Sequence, residues 1–239
     1  MTYSLYALFG IIPSIVWLLF YLRKDSHPES NKMVLKIFFY GMIAALPAIL
    51  VEMGTLRVIN ETTFLDSFGR GAIVFLNIFI AVALVEEFLK YLVVRGKVMG
   101  NLELDEPIDI MLYMIIAALG FAASENILVL FSLGPQFLFG ETLSISVFRF
   151  LGATFLHALC SGAMGYFLAL SFLETKKRGR FILLGLATAT ILHGLYNFSI
   201  IEIEGNLSFL IPIIILLGLA VFITFAFQRL KKLKSICKI

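Results

Sequence analysis

Charge is what this sequence has least of. Of its 239 residues only 15% are Asp, Glu, Lys or Arg while 60% are hydrophobic, whereas a soluble domain carries about 25% charged residues. That balance excludes a water-exposed globular chain and points to a polytopic membrane protein. Cysteine is nearly absent too. Cys160 lies in an apolar run and Cys237 in the tail, a pair too differently placed to form a disulfide framework, so both read as reduced thiols. The chain has no low-complexity tract, long linker or self-similar repeat, and one membrane-embedded domain over residues 1–239 is expected. Residues 3–22 lack a basic leading segment and a small-residue cleavage site, so they read as a retained helix and not a signal peptide. The net charge of +3 gathers in short loops and the tail, where lipid phosphate and topology account for it, and nucleic acid is not an expected partner.

What the sequence has in abundance is long apolar runs. Windows at 3–22, 35–54, 71–94, 109–132, 147–173, 181–200 and 207–228 each approach the roughly 20 residues that span a bilayer as a helix. The expected fold is therefore all-α with about seven transmembrane helices. Arg23, Lys24, Lys32 and Lys36 follow the first window, Arg95 and Lys97 the third, Lys176, Lys177, Arg178 and Arg180 the fifth. Arg229, Lys231, Lys232, Lys234 and Lys238 follow the last. The alternate loops hold Glu52, Glu61 and Asp66 with Arg57 and Arg70, then Glu141, then Glu202 and Glu204. The positive-inside rule places the N-terminus outside and the C-terminus in the cytoplasm. Two stretches complicate the count. Leu133 to Ser146, with Gly134, Pro135 and Gly140, is hydrophobic enough to dip back into the outer leaflet, which is tolerated where protein or a watery cavity covers the backbone. The third loop, with Glu103, Asp105, Glu106 and Pro107, is placed at the cytoplasmic interface.

Ionisable residues inside such windows are costly and mark functional sites. In the third window Glu86 and Glu87 stand four and three residues before Lys90, so the lysine reaches both on one helical face. A structural ion pair would need only one carboxylate. The fourth window carries Gly120-Phe121-Ala122-Ala123-Ser124-Glu125-Asn126, a second acid among small residues that let another helix approach. Glu125 fits direct chemistry or the support of another group, and Asn126 a backbone hydrogen bond. The fifth has His157 with Ser161 and Gly165 at four-residue intervals, a stripe suited to close packing; Cys160 and Ser161 lack a recognisable nucleophile setting. Arg149 reads as an interfacial anchor. In the sixth, His193 and Asn197 share a face with Gly194 leaving backbone accessible beside them, a combination suited to an oxyanion site. Counted by helical rise, both histidines fall near mid-membrane, Glu86 and Glu87 toward the cytoplasmic end and Glu125 toward the outer end.

The set Glu86-Glu87-Phe88-Leu89-Lys90, Gly120 to Asn126, His157 and His193-Gly194-Leu195-Tyr196-Asn197 resembles the PrsW family of bacterial intramembrane proteases, with all four motifs in the family's order between residues 86 and 197. That family is distantly similar to the CAAX prenyl proteases. Lys90 departs from the wider group, where an arginine usually stands one residue further on, so prenyl-protein cleavage is not the expected activity. The resemblance implies a multi-pass protein of the bacterial cell membrane that performs site-1 cleavage of a single-span membrane protein, typically an anti-sigma factor in a stress response. It implies a catalytic set of Glu86, Glu87, His157, His193 and Asn197, supported by Lys90, Glu125 and Asn126. The residue types support amide hydrolysis by activated water, with Glu86 as preferred base and Glu87 as orienter or reserve. A zinc scheme can be built with Glu125, His157 and His193 as ligands, although a His-Glu-x-x-His helix is absent. Two rivals use the same buried groups: an ion-coupled transporter, and a membrane scaffold or receptor that binds a partner helix.

Overall fold

A chain this apolar must satisfy its backbone polar groups internally, and helices are the simplest way to do so in a bilayer. The computed structural model describes residues 3–25, 27–101, 104–134 and 139–233. Within them the elements are α1 (Tyr3–Leu22), α2 (Asn31–Glu61), α3 (Thr63–Asp66), α4 (Arg70–Phe75), α5 (Val85–Lys97), α6 (Pro107–Ser132), α7 (Phe139–Leu151), α8 (Ala153–Leu173), α9 (Arg178–Ile201) and α10 (Leu207–Lys231). A π-helical segment, Leu76–Leu84, joins α4 to α5, and a 3₁₀ turn, Thr175–Lys177, precedes α9. Among the described residues seven stretches are long and apolar enough to cross a membrane, as expected.

Their boundaries differ from the hydropathy windows in three places. The second stretch runs over Asn31–Glu61, 31 residues or about 46 Å at about 1.5 Å per residue, because the Ser30 side chain caps its start by accepting from the Met33 N–H. The third is continuous over Arg70–Lys97 but changes winding at the π segment. The fifth reaches back to Phe139 and breaks at Gly152, where φ is −102° and ψ −93°. Of the segment expected to dip into a leaflet, Pro135 and its neighbours at 136–138 lie outside the described residues. Phe139 to Ser146 form the first turns of α7 and pack on α1: Ser146 Oγ donates to the Phe9 carbonyl at 2.9 Å, and the Phe9 and Phe139 rings are 5.5 Å apart. Glu103, Lys234, Cys237 and Lys238 also lie outside the described residues.

Helix α6 is the hub. From Pro107 to Ala123 all its side chains are buried, because α1, α2 and α8 surround it. An acidic start holds its N-terminus, with Glu106 and Asp109 forming a reciprocal capping box that satisfies two backbone N–H groups the helix leaves unpaired. The outer faces of the other helices stay apolar and exposed, as Phe39, Leu50, Phe148 and Phe225 show. Such surface matches lipid and not water.

The α2–α6 crossing depends on two glycines. A Cβ at Gly41 would stand 2.1 Å from the Ala117 carbonyl oxygen, and one at Gly120 would stand 2.0 Å from that of Phe38. Contacts this short are forbidden, so only hydrogen fits at either place. Ser124 Oγ donates to the Met42 carbonyl at 3.0 Å in the same seam. Gly120→Val is expected to push the two helices apart at a cost of at least about 1–3 kcal/mol, read as a lowered melting temperature in detergent. Gly218→Ala, where a Cβ meets nothing within 4 Å, serves as the neutral comparison, and a Gly120→Val protein that melts like the parent would contradict this packing.

Candidate active site

The acidic pair owes its placement to the segment before it. Each π-type turn carries an extra residue relative to an α-turn, so the nine residues of Leu76–Leu84 rotate α5 about its axis and set the aim of Glu86 and Glu87. Such segments recur at functional sites. Helix α9 then approaches at Gly194, where a Cβ would fall 2.3 Å from the Phe79 ring. Spacing alone gives Gly194 the task of exposing backbone; the structure instead uses the missing side chain to seat Phe79 and bring His193 against the glutamates.

Lys90 stands at the centre. Its Nζ is 2.7 Å from Glu87 Oε1, 3.2 Å from Glu86 Oε2 and 2.7 Å from His157 Nδ1, and it lies 4.5 Å from the centroid of the Phe121 ring. Lys90 and Glu87 are fully buried and Glu86 is 6% exposed. A buried ammonium must donate all three protons, and here each has an acceptor. Glu87 is saturated: Oε1 also accepts from His193 Nδ1 at 3.0 Å, and Oε2 accepts from Ser161 Oγ at 2.9 Å. Because an ionised carboxylate only accepts, His193 carries its Nδ1 proton toward Glu87, which turns Nε2 to the cleft. His157 receives Lys90 at Nδ1 and donates from Nε2 to Glu125 Oε2 at 2.7 Å, so both its nitrogens are engaged.

The network continues outward. Arg149 lies 3.0 Å from Glu125 Oε1, and its Nε donates to Asn126 Oδ1 at 2.5 Å. Asn126 Nδ2 donates to Thr154 Oγ1 at 3.0 Å and to the Gly10 carbonyl at 3.3 Å. Arg149 is thus no interfacial anchor; it bridges two residues of the α6 motif across to α7. Ser161 and Phe121 are further partners: spacing gives Ser161 a packing stripe and no nucleophile setting, and the structure makes it a donor to Glu87, while Phe121, inside the Gly120 motif, bears no charge to draw notice.

A cleft of about 630 Å³ opens against this network, and Glu86, Glu125, His157, His193, Arg149 and Asn197 are on its wall. The rest is largely apolar and includes Phe148 of α7 with Phe209 and Pro212 of α10. All four motifs therefore meet in one place, with the depth offset expected between Glu125 and the α5 glutamates bridged by His157. Glu86 and Glu125 both reach the cleft, but Glu125 is engaged on both oxygens, by His157 and Arg149, whereas Glu86 is held on Oε2.

Donor atoms of Glu86, Glu87, His157 and His193 lie within 4.8 Å of one another. Imidazole and carboxylate together are a fitting zinc donor set. Glu125, a ligand in the zinc scheme built from sequence, instead holds the far nitrogen of His157. The Lys90 ammonium occupies the contacts a metal would need on Glu86, Glu87 and His157. A divalent ion and this ammonium cannot share those atoms, so an ion held through them would have to displace Lys90.

Comparison with known proteins agrees with the motif set. Residues 29–227 match the family described as PrsW family intramembrane metalloprotease. The Protease PrsW of Bacillus subtilis (strain 168) is 28% identical over 229 residues, covering 95% of this chain and 94% of the relative. That of Oceanobacillus iheyensis is 28% identical over 226 residues, covering 93% of each, and that of Geobacillus kaustophilus is 29% identical over 196 residues, covering 82% of this chain and 79% of the relative. No solved structure matches the chain. A family of peptide hydrolases replaces the transporter and scaffold readings of the buried charges. The matched length, the seven apolar spans and the four motifs lead to one statement: this chain belongs to the PrsW family of intramembrane proteases of the bacterial cell membrane.

Proposed function

We propose that the protein performs site-1 cleavage of a single-span membrane protein of the anti-sigma factor kind, using water activated by Glu86. The observation that carries this reading is the asymmetry of the two glutamates. Glu87 is saturated by Lys90, His193 and Ser161, whereas Glu86 is held on one oxygen by Lys90 and lines the cleft. A general base needs a lone pair facing its proton, and Glu86 has one. Two glutamates against one ammonium leave one uncompensated negative charge, and a proton taken up at His193 Nε2 balances it while Glu86 stays ionised as the base.

In this scheme Glu86 removes a proton from water as the oxygen attacks the amide carbon. The same proton then passes from Glu86 to the departing amine, so water is consumed and no proton is left over. Asn197 and His193 face the carbonyl oxygen. Glu87 orients His193 through Nδ1 and balances its imidazolium form, in which Nε2–H donates to the oxyanion. His157, with both nitrogens engaged, acts by tying Lys90 to Glu125 and not by handling water. The family's description implies a metal; given Lys90, no step here is routed through one. The apolar cleft walls suit an unwound stretch of a membrane-spanning substrate, whose amide is reachable only where its helix is open.

Co-expression with a candidate single-span regulator tests the assignment. Glu86→Gln, Glu87→Gln and His193→Ala are each expected to lower the yield of the shortened product by about a hundredfold or more, the range of acid–base and oxyanion contributions, in protein that still inserts. Undiminished cleavage in all three would refute the site.

Chelation probes the metal question directly: purified enzyme treated with chelator is expected to keep cutting, and a loss restored only by zinc would overturn the scheme. Lys90→Met strands two buried carboxylates and is expected to cost about 3–5 kcal/mol as a lowered melting temperature, with cleavage lost. A Lys90→Met protein as stable and active as the parent would show that the ammonium is dispensable.

A further inference from the structure

A second convergence of carboxylates stands apart from the protease cluster, where the α1–α2 connection meets the start of α6. Oxygens of Asp25, Glu29 and Asp109 lie within 4.8 Å of one another, and Asp25 also belongs to a set with His27 and Glu106. The surroundings are built in detail. Asp109 Oδ2 accepts from the backbone N–H groups of Glu106 at 2.7 Å and Asp105 at 3.2 Å, Tyr113 donates its hydroxyl proton to Glu29, and His27 Nδ1 lies 2.9 Å from Glu106 Oε1. An open hollow of about 380 Å³ borders the group along His27, Glu29 and Asp105.

Asp25 is the residue these contacts leave incomplete. It is only 9% exposed. Its Oδ1 accepts from the His27 N–H at 3.0 Å, while its Oδ2 is buried and without a hydrogen-bond partner. A carboxylate oxygen withdrawn from water with no donor is costly. A neighbouring acid relieves it only while it keeps a proton, because an ionised carboxylate only accepts. The missing partner has to be positive, and the donors waiting for it are hard oxygens.

We propose that Asp25, Glu29 and Asp109 form a binding site for a hard divalent cation of the calcium class. Calcium binds six to eight oxygens at about 2.3–2.6 Å, so oxygens on opposite sides of one ion stand up to about 5 Å apart, a span that accommodates the observed cluster. Backbone carbonyls and water from the adjoining hollow complete such a shell. The ion fastens the connection between α1 and α2 to the first turn of α6. The opposite part of that helix carries Glu125 and Asn126, so the clamp braces the element on which the protease site is built without touching the site.

The test uses the full-length protein in detergent with Tb³⁺ as probe, because the ring of Tyr113, whose hydroxyl contacts Glu29, lies close enough to sensitise its emission. Saturable emission displaced by Ca²⁺ is expected, together with a rise in melting temperature on adding Ca²⁺. Asp25→Asn should weaken Tb³⁺ binding about tenfold or more, in keeping with the dependence of such sites on ligand charge, and Glu29→Gln should do the same. Glu87→Gln should leave the emission intact, which separates this site from the protease cluster. Absence of saturable emission from the unaltered protein, or equal Tb³⁺ affinity in the Asp25→Asn protein, would overturn the proposal. It is also overturned if Ca²⁺ leaves the melting temperature unchanged while Asp25→Asn raises it, since the acids then share a proton in place of a cation.

Discussion

Burial of the Lys90 ammonium is the constraint on which the site depends. An isolated charge at this depth would cost more than the chain can offset, and Lys90 is stable only because Glu86, Glu87 and His157 accept its three protons. Those acceptors come from two helices, α5 and α8, so the ion cluster also fixes how these helices meet. Glu87 then recruits His193 from α9 and Ser161 from α8. One buried cation thus specifies the relative position of three spans.

The packing around it obeys a different rule. In lipid, apolar side chains gain little by meeting one another, and close association relies on small residues and short polar contacts. Helix α6 is surrounded because Gly41 and Gly120 remove the bulk at the α2 crossing, and because Gly165 lets α8 approach where a Cβ would stand 2.7 Å from the Met111 Cα. Close approach places Glu125 within reach of His157. The chain of contacts from Lys90 through His157 and Glu125 to Arg149 and Asn126 therefore links the proton-handling pair to α7, which forms part of the cleft wall. Helix α7 thus supplies Arg149 to the charge network and Phe148 to the cleft wall.

Much of this is legible in the sequence. The membrane class and seven spans derive from length and hydropathy alone, since the bilayer imposes one element type and one approximate length. The four polar motifs are visible for the converse reason: a charge or imidazole inside an apolar span is rare enough to mark itself. Gly120 and Gly165 stand among small residues that signal close approach, and helix contacts occur at both. Less legible are the residues whose roles depend on direction. Arg149 resembles an anchor because its position near a span end allows that use, and only its contacts with Glu125 and Asn126 reveal the other.

Residue type and spacing are therefore enough to mark which groups are costly to bury, because desolvation cost acts on a side chain whatever its partners, while hydrolysis is chosen over transport by the family the motifs resemble. Direction and distance are left to the tertiary structure. The π segment sets the aim of the glutamates, the ring of Phe79 takes the space beside Gly194, and the ammonium of Lys90 fills the contacts of a would-be metal. Each of these arises from helices packed against one another at atomic separations, which one-dimensional spacing does not encode. The distinction between Glu86 and Glu87 is the clearest case: adjacent and identical in sequence, they differ because one helical step turns one carboxylate toward Ser161 and His193 and the other toward the cleft.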